Sequence, residues 1–133
     1  MNIGQAASAS GVSAKMIRYY ESKNLIKKAA RSYAGYRFYT EQDLETLRFI
    51  GKARALGFSL NKISDLLKLW RNQTRPSAKV KAIATEHITE LDQHIAELIA
   101  MRDYLKSIID ACPGSDDPHC PILNDMSKTQ SAK

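Results

Sequence analysis

Cysteine is scarce in this chain. Cys112 and Cys120 are the only two, and a structural zinc site wants four ligands, so the sulfurs alone cannot build one. Long apolar runs are missing. None approaches the roughly 20 residues that span a bilayer, and no membrane is expected as a partner. Met1-Asn2-Ile3-Gly4-Gln5 lacks the basic and long apolar segments of a signal peptide. The chain therefore reads as cytoplasmic, where thiols stay reduced and a cysteine pair more often binds metal or cycles its redox state than forms a structural disulfide. Catalytic signatures are missing too. There is no nucleophile–base pair, phosphate-binding loop or paired acid/base site, and an enzyme is not expected. Acid is sparse in one half only. Residues 1–60 hold ten Lys/Arg against four Asp/Glu, whereas residues 61–133 hold ten of each. The whole net charge of +6 thus lies in the first half. A single-sign field of that kind favours a polyanion, of which nucleic acid is the usual one.

What is present divides into short helical segments and one long one. Ile3 to Ser8 has a helical pattern that Gly11 interrupts. Ser13 offers an N-cap for a second helix, Ala14 to Ser22. Helix, glycine-containing turn and helix within about twenty residues fit a helix-turn-helix. On the second helix Lys15, Arg18 and Tyr19 share one face, while Met16, Ile17 and Tyr20 serve the inner side. Arg31 to Tyr39 follows, with turn freedom at Gly35 and alternation through Tyr36-Arg37-Phe38-Tyr39. This predicts a two-stranded wing in which Arg31 and Arg37 reach phosphates beside Tyr36 and Phe38 faces the core. Thr40-Glu41-Gln42-Asp43 resembles a capping box for a helix running to about Ala55 with Leu44, Leu47, Phe49 and Ile50 as its apolar stripe. After Gly57, Ser59 caps a helix carrying Leu60, Ile63, Leu66, Leu67 and Trp70, the last as a core or interface anchor.

Residues 71–77 form a polar linker in which Ser77 is placed to cap the next helix. Residues 78–111 contain neither glycine nor proline. Ala84, Ile88, Leu91, Ile95 and Leu98 recur in steps of four and three, and the pattern resumes at Leu105 and Ile109. That is a heptad seam. A helix of about 33 residues is roughly 50 Å long, too long to bury its seam in so small a monomer, and its own copy is the simplest partner. His87 and His94 lie one heptad apart and are expected on its surface or flank. Residues 112–127 form a loop and short helix, and 128–133 a frayed polar tail.

These residues resemble a known family. Ile3-Gly4-Gln5-Ala6-Ala7, Ile17-Arg18-Tyr19-Tyr20-Glu21, Leu25-Ile26, Gly35-Tyr36-Arg37-Phe38-Tyr39 and Leu56-Gly57-Phe58-Ser59-Leu60 are similar to those of MerR-type transcriptional regulators. The resemblance covers essentially residues 1–125. The loop Ala111-Cys112-Pro113-Gly114 to Cys120-Pro121-Ile122 resembles the copper-efflux regulator branch. The fold implied is mainly α: a winged helix-turn-helix DNA-binding domain over 1–70, a long antiparallel dimerisation helix over 78–111 and a C-terminal metal-binding loop. The activity implied is a homodimer on double-stranded promoter DNA whose spacer is too long for productive polymerase contact. Metal binding then distorts the DNA so that RNA polymerase engages both promoter elements, switching on metal efflux and detoxification genes. By position, the resemblance assigns Lys15, Arg18 and Tyr20 to the recognition helix, Arg31, Tyr36 and Arg37 to the wing, and Arg54 to a phosphate contact. Tyr19, favoured by the helix face, and Tyr20, favoured by the resemblance, both stand as DNA-contact candidates. Phosphate contacts are expected to carry most of the affinity.

Two thiolates suit soft monovalent ions in a near-linear arrangement, so Cu(I), Ag(I) and Au(I) are the candidate cofactors at Cys112 and Cys120. A monovalent ion between two thiolates leaves one negative charge, which is costly to bury without an offset. Pro121-Ile122-Leu123 begins a short helix whose amides offer one. Lys81, contributed by a second subunit, offers another. The resemblance implies that Ser77 acts in selectivity, since divalent-metal relatives carry cysteine there. His119 adjoins Cys120, but its side chain is expected to point outward, and Asp116 and Asp117 read as loop-tip solvation. Proline at 118 resembles gold-responsive relatives and Pro113 the copper ones, so the choice among the three ions stays open. A thiol redox sensor using a Cys112–Cys120 disulfide is the alternative. A sensor of organic ligands would need a larger domain than remains after residue 111.

Overall fold

In the computed structural model the described residues are 1–27, 30–31, 37–115, 118 and 120–128, with residues 30, 31 and 37 described through their backbone only. The architecture is mainly helical. Among the described residues, six helices, α1 (Ile3–Ser10), α2 (Ala14–Ser22), α3 (Glu41–Ala55), α4 (Leu60–Arg71), α5 (Ser77–Asp110) and α6 (Pro121–Ser127), accompany a short antiparallel pair, β1 (Ala30–Arg31) and β2 (Arg37–Phe38). The strand register sets Ala30 opposite Phe38 and Arg31 opposite Arg37. None of the described helices is long and apolar enough to cross a membrane.

Local chemistry explains each boundary. Asn2 and Gln5 form a reciprocal capping box at the start of α1, and Gly11 ends that helix in the left-handed conformation, φ 77°, which glycine adopts without a Cβ penalty. α1 therefore runs two residues beyond the predicted Ser8. The Ser13 side chain accepts from the Met16 amide and caps α2. Thr40 and Asp43 form the capping box of α3, and the Ser59 hydroxyl accepts from the Lys62 amide at the head of α4. α4 extends to Arg71, and α5 begins at Ser77, so the connection between them is 72–76. Ser77 is the first residue of α5 rather than the cap outside it, and the Lys79 amide closes on the Pro76 carbonyl at 3.1 Å.

The chain divides into two compact units, Met1–Ile83 and Ala84–Lys133. The core of the first is built by Ala6, Val12, Ile17, Tyr20, Leu25, Ile26, Tyr39, Leu44, Leu47, Ile50, Ala53, Phe58, Ile63 and Leu67, with Ile83 packed against it. The apolar stripes of α2, α3 and α4 converge here, and their burial is the main stabilising term. At Gly51 a Cβ would meet Val12 Cγ2 at 3.2 Å, so α3 lies close against the turn after α1. Arg48 Nη2 donates to the Ala9 carbonyl at 3.2 Å and ties the same two elements.

Phe38 is not in this core. Its side chain is 44 % exposed, and Tyr39 is buried instead. Successive strand residues face opposite sides, so one of the two had to face out, and the inward one is the residue with a buried polar partner. The Tyr39 hydroxyl donates to the buried Glu21 carboxylate. The Tyr39 backbone is held as well: its amide donates to the Met1 carbonyl, and its carbonyl accepts from the Met1 amine at 3.0 Å.

In the second unit α5 is capped by a turn in which the Cys112 amide donates to the Ile109 carbonyl at 3.0 Å. The predicted seam is exposed along its length, with Ile88, Leu91, Ile95, Leu98, Leu105 and Ile109 between 37 and 62 % accessible. His87, expected on the surface, is buried, with Nδ1 3.5 Å from the Glu90 carboxylate.

Candidate functional site

The basic face of α2 follows from how that helix is anchored. Ile17, Tyr20 and Glu21 point inward, which turns Lys15, Arg18 and Tyr19 outward at positions i, i+3 and i+4. The structure thus separates the two tyrosines. Tyr19 is 39 % exposed, whereas Tyr20 is 3 % exposed and belongs to the core. The ring of Tyr20, which the family resemblance places at the DNA, is what seats α2. Tyr19 keeps its place on the outer face. Its ring lies 5.7 Å from Lys23 Nζ and 5.9 Å from the Tyr20 ring at 57°. Lys23 is a further basic side chain of this face that motif reading passed over. The signal was available, since Lys15, Tyr19 and Lys23 repeat at steps of four.

Arg54 is exposed in the last turn of α3, where a cation also complements the helix dipole. Its carbonyl accepts from the Gly57 amide at 2.9 Å. The wing has its backbone pair at Ala30–Arg31 and Arg37–Phe38. The side chains of Arg31 and Arg37 lie outside the described residues, as does Tyr36 altogether. Trp70 is exposed, stacked on Phe49 with ring centroids 4.8 Å apart and an interplanar angle of 11°.

The two thiols occupy the junction between α5 and α6. Cys112 follows the last turn of α5, and Cys120 is the N-cap of α6 with Pro121 behind it at the first helical position, where a missing N–H costs nothing. The Asn124 amide closes on the Cys120 carbonyl at 3.1 Å. Both cysteines are free and half-buried. Gly114, φ 63°, turns the chain just after Cys112 with open space around its Cα. The end of α5 and α6 border a cleft of about 440 Å³ lined by Ser107, Ile108, Ala111, Pro121, Asn124, Asp125 and Lys128. The Asp125 carboxylate of this lining accepts from the Tyr104 hydroxyl.

The donor set fits a soft ion. Two sulfurs stand at the ends of one loop, and thiolates are soft donors. His119, Asp116 and Asp117 lie outside the described residues. Ser77 and Lys81 are exposed on the first turns of α5 and belong to the first unit, whereas both thiols belong to the second.

A helix-turn-helix followed by a strand pair, with an outward basic face on its second helix, defines a winged-helix DNA-binding regulator. Family models agree over two overlapping stretches. One, for MerR HTH family regulatory proteins, matches residues 1–70, and another, for MerR DNA binding, matches residues 44–108. The chain is 49 % identical over 134 residues to heavy metal-dependent transcription regulator 1 of Rhizobium meliloti, covering 100 % of this chain and 91 % of the relative. It is 42 % identical over 127 residues to the transcriptional regulator CueR of Escherichia coli, covering 96 and 94 %. The crystal structure of the regulator PbrR691 from Ralstonia metallidurans in complex with lead(II) superposes with a TM-score of 0.81 at 30 % identity, covering 96 % of this chain and 99 % of the other. The chain belongs to the MerR family of helix-turn-helix transcription regulators, which are not enzymes.

Proposed function

We propose that this protein is a metal-responsive transcriptional activator that binds promoter DNA as a homodimer and is switched by Cu(I), Ag(I) or Au(I) held between Cys112 and Cys120. The observation that carries the reading is the pair of free, half-buried thiols at the α5–α6 junction of a chain so similar to a heavy metal-dependent regulator and to CueR. Two thiolates select soft ions over hard ones. A monovalent ion between two thiolates leaves one negative charge, which costs less at a half-buried site than at a fully buried one.

The duplex is gripped through Lys15, Arg18, Tyr19 and Arg54, with Arg31, Tyr36 and Arg37 of the wing. The exposed seam of α5 supports pairing with a second copy, because a row of half-exposed Ile and Leu is what a coiled-coil partner covers. Ser77 and Lys81 reach the thiols from that second copy, Lys81 supplying charge and Ser77 leaving no third sulfur for a divalent ion. The ion resets how the dimer shapes its promoter, and RNA polymerase reads the result.

The test is transcription from the cognate promoter by reduced protein and RNA polymerase under anaerobic conditions, with each metal added in turn. Stimulation by the monovalent soft ions supports the reading. Stimulation by oxidant alone, with none by metal, would favour a Cys112–Cys120 disulfide switch instead.

A further inference from the structure

Tyr104 and Asp125 are 21 positions apart in the chain, and one hydrogen bond joins them. That bond ties α5 to α6. Tyr104 shares a face of α5 with Ile108 and Ala111, four and seven residues on. This face differs from the apolar seam. Ile108 is 7 % exposed, whereas Leu105 and Ile109 of the seam are 47 and 56 % exposed. Pro121, Asn124 and Asp125 form the opposite wall of the cleft over Ile108 and Ala111. α6 has seven residues, too few to persist as an isolated helix. Its place therefore depends on what docks it to α5. The Asp125 carboxylate raises the Tyr104 pKa above its ordinary value of 10.0, through the hydrogen bond first, then burial and charge.

The geometry has a consequence for the thiols. Cys120 is the N-cap of α6, and Cys112 lies two residues past the end of α5, its amide donating to the Ile109 carbonyl. Wherever α6 sits on α5, Cys120 sits accordingly relative to Cys112. We infer that the Tyr104–Asp125 pair is a latch that positions the two sulfurs for one ion by holding α6 against the end of α5. This rests on the reading of Cys112 and Cys120 as metal ligands. Neither Tyr104 nor Asp125 touches the ion; both act through the seating of Cys120. When only a fraction of chains is docked, the apparent dissociation constant rises as that fraction falls. Losing one hydrogen bond shifts such an equilibrium by about two- to tenfold.

Tyr104→Phe is the cleanest probe, because it removes the donor while keeping the ring and every charge. Asp125→Asn is its companion, since the amide oxygen still accepts. The full-length variants and the wild type are titrated anaerobically with Cu(I) against a chromophoric competitor. In parallel, amide hydrogen exchange is followed in the metal-free proteins and operator affinity is measured. Tyr104→Phe is expected both to weaken Cu(I) binding and to speed exchange of the α6 amides, by factors that multiply to about two- to tenfold. Exchange over residues 84–98 and metal-free operator affinity stay at wild-type values, and Asp125→Asn retains slow α6 exchange. Unchanged α6 exchange in Tyr104→Phe would overturn the latch. Faster α6 exchange with unchanged Cu(I) affinity would overturn its role in placing the thiols. A wild-type protein that ignores Cu(I) would sink the metal reading itself and, with it, any purpose for the latch.

Discussion

Arg18→Ala removes one cation from the outward face of α2 and nothing from its inward one. Arg18 is exposed, and the helix is seated by Ile17 and Tyr20, so the change in folding stability stays within about 0.5 kcal/mol. The effect on DNA is larger and has a diagnostic form. Each phosphate contact contributes about 0.9 to the slope of log affinity against log salt. In a homodimer the substitution is made twice, so the slope becomes shallower by about 1.8. Over a fourfold change of salt, from about 50 to about 200 mM, that slope difference alters the ratio of affinities by about twelvefold. The assay is fluorescence anisotropy with the cognate operator over a salt series, alongside thermal unfolding of the same samples. Parallel salt lines for wild type and variant, at equal thermal stability, would refute a phosphate contact by Arg18 and the outward-face argument with it.

The remaining outcomes follow from the same structure. Tyr20→Ala should cost about 3–5 kcal/mol of folding stability in denaturant titrations, because it empties a core position. Tyr19→Ala should leave stability within about 0.5 kcal/mol and weaken operator binding; the reverse pattern would restore Tyr20 to the interface. Cys112→Ser and Cys120→Ser should each abolish metal-induced transcription while metal-free promoter binding persists, and loss of promoter binding would contradict the separation of sensing from grip. Ile95→Asp places a carboxylate in the middle of the exposed seam and should shift the protein from dimer toward monomer in sedimentation equilibrium. A persistent dimer would move the interface off the seam.

Much of the first unit was legible because its boundaries are set by short-range chemistry. Ser13, Thr40 and Ser59 cap the helices they precede, and Gly11 and Gly57 stand at positive φ where the helical patterns break. Each of these depends on residues three or four apart. The phase of the short strand was not legible. In Tyr36-Arg37-Phe38-Tyr39 both phases of the alternation carry an aromatic ring, so the pattern does not choose between Phe38 and Tyr39, and the choice is made by Glu21, 18 positions from Tyr39. Tyr20 shows how a family pattern and a helix face can disagree about one side chain. The face was right about its direction, because Ile17 and Tyr20 are three apart and must bury together.

The site was legible in part. The two cysteines stood out by their scarcity and by the prolines beside them, and Pro121 does open α6 behind Cys120. The contact between Tyr104 and Asp125 was not legible, because it depends on how α6 folds back over the cleft, and no periodicity encodes that. The burial of His87 was missed for a similar reason. Its position on the heptad places it on a flank, and only the packing around it decides exposure.

The most direct test of the central claim is the binding of Cu(I), Ag(I) and Au(I) to fully reduced protein without oxygen, read by thiolate–metal absorption and by thiol count. The account predicts one ion per chain, with both sulfurs protected from alkylation, and neither effect in Cys112→Ser or Cys120→Ser. Reduced protein that binds none of the three ions and keeps both thiols reactive in their presence would contradict it.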